Sequence, residues 1–217
     1  MTTAEPTILP ERLARLPKIK ILKGKHETIN GGACLVEVAG WLRGELDDHA
    51  PCVCPVVAAF CRRFNDSVRG DARRTKLLRE LAPLIGGTRS TRAVELKRAY
   101  LAADWAVRDS TPAFLDLVPA LSDHAAALRA LPSIVDKASA EAAQPTIVRA
   151  REAARVAWSA YAAHAAAAAH AAAADAAAAA YAAHAAAADD RKKINALIAR
   201  RQKSAVQLIR RMCEVPL

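Results

Sequence analysis

This sequence predicts an all-α fold, a multi-helix bundle with a loop-rich N-terminal half and long alanine-rich helices. Three observations carry that expectation. All eight glycines lie at or before Gly87, so the turns are concentrated early in the 217-residue chain. After Pro145 neither glycine nor proline occurs until Pro216, and between Ala160 and Ala188 only Tyr161, His164, His170, Asp175, Tyr181 and His184 are not alanine. Alanine has the highest helix propensity, so this run is expected to be helical. Strand signals, alternating runs of β-branched and aromatic residues, are missing.

The expected organisation is an N-terminal arm (1–19) and a single helical domain (20–217), divided into a loop-rich half (20–90) and a long-helix half (91–217). Residues 1–19 are punctuated by proline and carry one short turn of helix. Lys23 to Gly32 (KGKHETINGG) form a loop by their glycine content. In ACLVEVAGWLRGE, the residues Cys34, Leu35, Val38, Trp41 and Leu42 recur at helical spacing and stop near Gly44. LDDHAPCVCP is a loop, and Pro55 opens the next helix at its first turn. RRTKLLRELAPLI forms a helix ending at Gly86-Gly87. Ser90 or Thr91 caps the following helix, whose Val94, Leu101 and Trp105 share one face. Pro112, Pro119 and Pro132 then mark off short helices.

A continuous helix from Thr146 to Asp189 would span roughly 65 Å at about 1.5 Å per residue. On a helical wheel His164, Asp175, Asp189 and Tyr161 fall in one sector, and His170, Tyr181 and His184 in another. Alanine covers the surfaces between them. Such faces allow closer approach than the usual 8–10 Å between helix axes. They suit a tightly packed helix pair, within one chain or between two copies in a homodimer. The run is no membrane span, because His or Asp interrupts it every few residues.

Composition narrows the function. The net charge of +10 favours nucleic acid, anionic lipid or acidic partners. From Asp189 onward eight basic residues face three acidic ones. Lys192, Arg200, Lys203, Arg210 and Arg211 fall outside the Ile194–Leu197–Ile198–Ala205–Ile209–Met212 stripe. They could lie along phosphates, although no stacking aromatics are interleaved. Five cysteines without a paired CxxC pattern or a secretory segment fit reduced thiols in a cytoplasm.

Most of the potential chemistry lies between His26 and Cys61, where His26, Cys34, Glu37, Asp48, His49, Cys52, Cys54 and Cys61 gather. Zinc could take His26, Cys34, His49 and Cys52. Their irregular spacing argues against it, and neither metal nor cofactor is expected. Glu37 lies at the edge of an apolar stripe, where a carboxylate needs a partner. Lys23, His26 or a loop amide could supply one, and Glu37, His26 and His49 are expected to lie close together. A structural acid that pins the loop is favoured over a catalytic base.

The same stretch, KGKH…GGACLVEVAGWLRGE…DDHAPCVCPVVAAFCRRFND, resembles a motif of uncharacterised actinobacterial and actinobacteriophage proteins. That motif reads approximately KGKH, GxCLMExxAxLAGE and SDHPxCVxPVIxxFxRxWND. It maps onto Lys23–His26, Cys34, Glu37, Gly44, Glu45, Asp48, His49, Cys52, Pro55, Phe60, Asn65 and Asp66. The resemblance continues through GTRSTRAVELKRAYLAADWAVRD into an alanine-rich helix ending like LIRRM. Departures are Ala50, where the family tends to have proline, and Gly40 within the first helix. The resemblance implies a fold and a source, not a reaction. The chain reads as a non-enzymatic, cytoplasmic protein-interaction module, plausibly phage-encoded, acting on a host or self partner. A nucleic-acid binder is the first alternative, and an enzyme or zinc protein using His26, Glu37, His49 and Cys52 the second.

Overall fold

The computed structural model describes residues 7–157 and 188–216. Among them the regular elements are all helical, and the only extended pairing is an isolated bridge between Ile21 and Ala33. The fold is all-α. The alanine run with Tyr161, His164, His170, Asp175, Tyr181 and His184, and with it the expected homodimer surface, lies outside the described residues. No described helix is long and apolar enough to cross a membrane.

The chain divides into two compact units. One holds the described residues up to Arg98 and those from Val206 onward, the other Ala99–Ala205. Both division points fall inside helices, so the second unit is an insertion into the first.

In the first unit, α1 (Pro10–Arg15) leads into a 3-10 turn at Leu16–Lys18. The expected arm is docked. Leu16 and Ile19 are buried, and Leu9 N–H donates to Leu42 O at 2.9 Å. The guanidiniums of Arg12 and Arg15 lie 5.5 and 5.3 Å from the Trp41 ring centroid, and Arg12 also donates to Trp41 O. An aromatic face held against two cations anchors what composition alone reads as a tail.

Helix α2 (Leu35–Trp41) is buried at every position, as an almost wholly apolar helix must be. Gly40 has a packing reason: a Cβ there would lie 2.7 Å from Ala50 Cβ and 2.7 Å from Glu45 O. Gly40 and Ala50 therefore pack directly against each other. Helix α3 (Pro55–Ser67) begins at Pro55 as expected.

The single helix expected over RRTKLLRELAPLI is broken into α4 (Asp71–Leu78), a 3-10 turn at Arg79–Leu81 and α5 (Ala82–Ile85). Pro83 explains the break, since it has no N–H to continue the α-helical ladder and its ring crowds the preceding turn. Gly86 and Gly87 then accept the Arg43 guanidinium. Arg43 donates to Gly86 O at 2.9 Å, and a Cβ on Gly86 would sit 2.5 Å from Arg43 Nε.

Helix α6 (Arg92–Asp104) starts after Thr91, whose Oγ1 lies 3.5 Å from Val94 N. Of the residues expected on one face, Val94 is buried, Leu101 is half-buried and Trp105, just past the end of α6, is buried; Arg98 is buried as well.

In the second unit α6 passes into a π-helical turn, Trp105–Ser110, before α7 (Thr111–Leu115). Pro112 supplies no N–H to the turn before it, so the ladder cannot continue there unaltered. A further 3-10 turn (Pro119–Leu121) precedes α8 (Ser122–Ala130) and α9 (Lys137–Ala157). Leu115, Leu121, Ala125, Leu128 and Ala150 form the core of these helices. Rather than opening a helix, Pro145 lies inside α9. That helix starts earlier because Asp136 Oδ1 accepts from Ser139 N at 2.8 Å, capping its first turn.

Helix α10 (Ala188–Glu214) ends the chain. Ile194, Leu197, Ala205, Ile209 and Met212 are buried along it, with Gln202 and Leu208 beside them.

Candidate functional site

The sequence places its unusual residues around the start of α2, and the geometry there is a helix cap. Cys34 is the N-cap residue, with its Sγ 3.4 Å from Glu37 N as acceptor. Glu37 is the third residue of the helix and reaches back, its Oε2 accepting from Cys34 N at 2.7 Å. This reciprocal arrangement is a capping box with cysteine where serine or threonine is usual. The same carboxylate then reaches the loop. Its Oε1 accepts from His26 N at 2.7 Å and its Oε2 lies 3.0 Å from His26 Nδ1. Glu37 is fully buried while the His26 side chain keeps 22% of its surface exposed. Two backbone N–H groups and an imidazole thus satisfy a charge that would otherwise be costly to bury.

Asn65 and Asp66 of α3 extend the anchorage. Asn65 is fully buried, its Nδ2 donating to Leu22 O at 2.8 Å and its Oδ1 accepting from Leu35 N at 3.3 Å. Asp66 Oδ1 accepts from Gly24 N at 3.1 Å. Backbone groups of Leu22, Gly24 and His26 are therefore each held by a side chain of α2 or α3. The residues between them, Lys23 and Lys25, are exposed.

Asp48 occupies the role expected of its neighbour His49. Cys34 Sγ donates to Asp48 Oδ1 at 3.4 Å, and Arg62 of α3 donates to Asp48 O at 2.7 Å. His49 is exposed, and its backbone N–H turns to Asp47 Oδ1 at 2.9 Å. The expected meeting of Glu37, His26 and His49 holds for the first two and fails for His49, because the loop presents Asp48 inward.

Cys52 is buried further along the loop, where its carbonyl accepts from Gly87 N at 2.9 Å and from Arg89 N at 3.2 Å. The zinc alternative of His26, Cys34, His49 and Cys52 is not assembled. Among the described residues, the group whose ligand atoms all lie within 4.8 Å of one another is Cys34, Glu37 and Asp48. Hydrogen bonds join these three, Cys34 N donating to Glu37 Oε2 and Cys34 Sγ to Asp48 Oδ1, while Glu37 Oε1 accepts from His26 N.

Cys34 is also held away from nucleophilic chemistry. Burial pushes its thiol far above the usual range, and the charges of Glu37 and Asp48 add to the rise against the Glu37 N–H. Burial likewise raises Cys61 well above that range, and lifts Cys213 to about 11 despite the nearby Arg98 cation. All five cysteines are free. With native protein near about pH 8, a disulfide-exchange reagent should modify Cys213 slowly and leave Cys34 and Cys61 unmodified. In denaturant every thiol should react. Rapid native labelling of Cys34, located by peptide mapping, contradicts this.

Two clusters carried no sequence signal. Arg98, 1% exposed, donates from Nε to Met212 O at 2.8 Å and from a second nitrogen to Thr88 O. In the second unit the π-turn aligns Trp105 with Asp109, and both reach α10. Trp105 Nε1 donates to Ser204 Oγ at 2.8 Å, and Ser204 donates to Asp109 Oδ2 at 2.7 Å. Arg201 lies 2.6 Å from that same oxygen. Of the predicted basic residues, Lys192, Arg200, Lys203 and Arg211 are exposed and Arg210 is half-buried.

No protein-family model, curated protein or solved structure matches this chain.

Proposed function

We propose that the chain is a non-enzymatic, cytoplasmic binding module whose recognition element is the loop from Leu22 to Gly32. One observation carries this reading. The fully buried Glu37 and Asn65 have their polar atoms turned to backbone groups of that loop or of the α2 cap. Glu37 therefore maintains a shape: His26 N, His26 Nδ1 and Cys34 N converge on its two oxygens.

The held shape presents Lys23 and Lys25 on the outer side of an extended segment. Cations on a preorganised backbone favour an acidic protein surface, since little loop ordering remains to oppose association. The resemblance to actinobacterial and phage proteins belongs to the same proposal and suggests a host protein as the partner.

The test compares wild-type protein with a Lys23→Glu/Lys25→Glu double variant as immobilised bait in host lysate. The expected result is a discrete protein retained by wild type and lost with the variant, at unchanged melting temperature. An identical retained set for both baits overturns the reading.

A further inference from the structure

We infer that the outer face of α10 in the second unit, formed by Lys192, Lys193, Ala196, Arg200 and Lys203, binds the phosphate backbone of nucleic acid. This surface is separate from the loop and does not depend on the loop's partner. At about 100° per residue these five positions fall within about 100° of helix circumference, and Lys192 and Lys203 stand about 16 Å apart along the axis. All five are exposed.

The charge pattern is not that of a merely solvated helix. The acids of α10 stand at its ends, Asp189 and Asp190 in the first turn and Glu214 in the last, and no Asp or Glu occurs between residues 191 and 213. Exposed helices usually interleave opposite charges at i,i+4, as Lys137 and Glu141 do in α9. On α10 Arg201 pairs with Asp109. Among the residues whose side chains are described, Arg200 and Lys203 have no ion-pair partner, and in sequence they lie seven or more residues from any acid of this helix. Arg200 and Lys203 are instead like charges at i,i+3, an arrangement that disfavours the helix until an anion screens it.

Shape selects the anion. Ala196 is exposed on this arc and Ala199, at its edge, is half-buried, so the helix can lie close to a phosphodiester chain. The arc holds no large apolar or aromatic residue to insert into a bilayer or fill a protein groove. The same lack of aromatics and of base-reading side chains predicts binding without sequence preference.

The test is a salt titration of fluorescence anisotropy, using full-length protein with labelled mixed-sequence duplex DNA and, separately, labelled single-stranded RNA. Four phosphate contacts on duplex DNA give a log–log salt slope of about −3.6, and the triple variant Lys193→Ala/Arg200→Ala/Lys203→Ala should reduce it to about −0.9. At low salt that variant should bind at least about tenfold more weakly. The single variant Lys203→Gln should lower the slope magnitude by about 0.9, so the result does not rest on how the triple variant folds. Arginine at Lys192, Lys193 and Lys203 should preserve the wild-type slope. The inference is overturned by no binding at micromolar protein, by a slope the alanine variant leaves unchanged, or by binding to phosphatidylserine vesicles without binding to either nucleic acid.

Discussion

Replacing Glu37 with alanine should lower the stability of the first unit by about 3–5 kcal/mol, the usual cost of removing one partner from a buried charged network. A loss of about 3 kcal/mol corresponds to roughly 6–12 °C in melting temperature for a chain of this size. The cost arises from what is left behind. His26 N and Cys34 N lose their acceptor, the His26 ring loses its partner, and α2 loses its capping box. Glu37→Gln should recover only part of the loss, because its amide nitrogen would face a backbone donor where an acceptor is needed. Glu141→Ala, which removes one partner of an exposed pair, should leave the melting curve close to wild type. Thermal melting followed by circular dichroism reads all three. A Glu37→Ala protein that melts with wild type refutes the anchoring role, and if it also lost a measurable activity the carboxylate would be functional instead.

The second large effect is expected at Arg98. Its guanidinium is buried, and two of its nitrogens donate to the carbonyls of Thr88 and Met212. Met212 lies in the last turn of α10, where unsatisfied carbonyls and the helix dipole favour a cation. Arg98→Met preserves bulk but leaves both carbonyls without this donor, at a cost of about 3 kcal/mol or more from two charge-assisted hydrogen bonds. Arg98→Lys should fall between, because an ammonium lacks the planar fork that reaches both oxygens. Asp116→Ala, which opens the exposed Arg129–Asp116 pair, should cost less than about 1 kcal/mol. Denaturant titration at constant slope reads these differences, and equal midpoints for Arg98→Met and wild type would exclude the role assigned to Arg98.

Legibility from sequence followed the strength of local chemistry. The start of α3 at Pro55 was readable because proline at a first helical position has a single strong meaning. Glu37 was readable as a problem, a carboxylate beside an apolar stripe, and His26 was among its candidate partners. The cap itself was not, since cysteine seldom stands at an N-cap. Asp48 and His49 are adjacent, and a shift of one residue in which of them turns inward is invisible without the backbone. Arg98 lay beyond reach for a different reason. A charged residue on an apolar helix face looks like a surface position until the distant chain that satisfies it is known. The π-turn at Trp105–Ser110 likewise depends on how Pro112 disturbs a helix that composition alone presents as continuous.

The placement of Met212 has a consequence for how the protein is made. Arg98 and its carbonyl partner are 114 residues apart in sequence, and an entire unit lies between them. Vectorial synthesis ordinarily lets N-terminal structure form first. Here Leu208, Ile209 and Met212, which complete the first unit's buried interior, leave the ribosome only after the whole second unit. Until they arrive, the loop, its cap and α2 can be assembled only around an open flank. A segment translated before the second unit is thus sealed only after it.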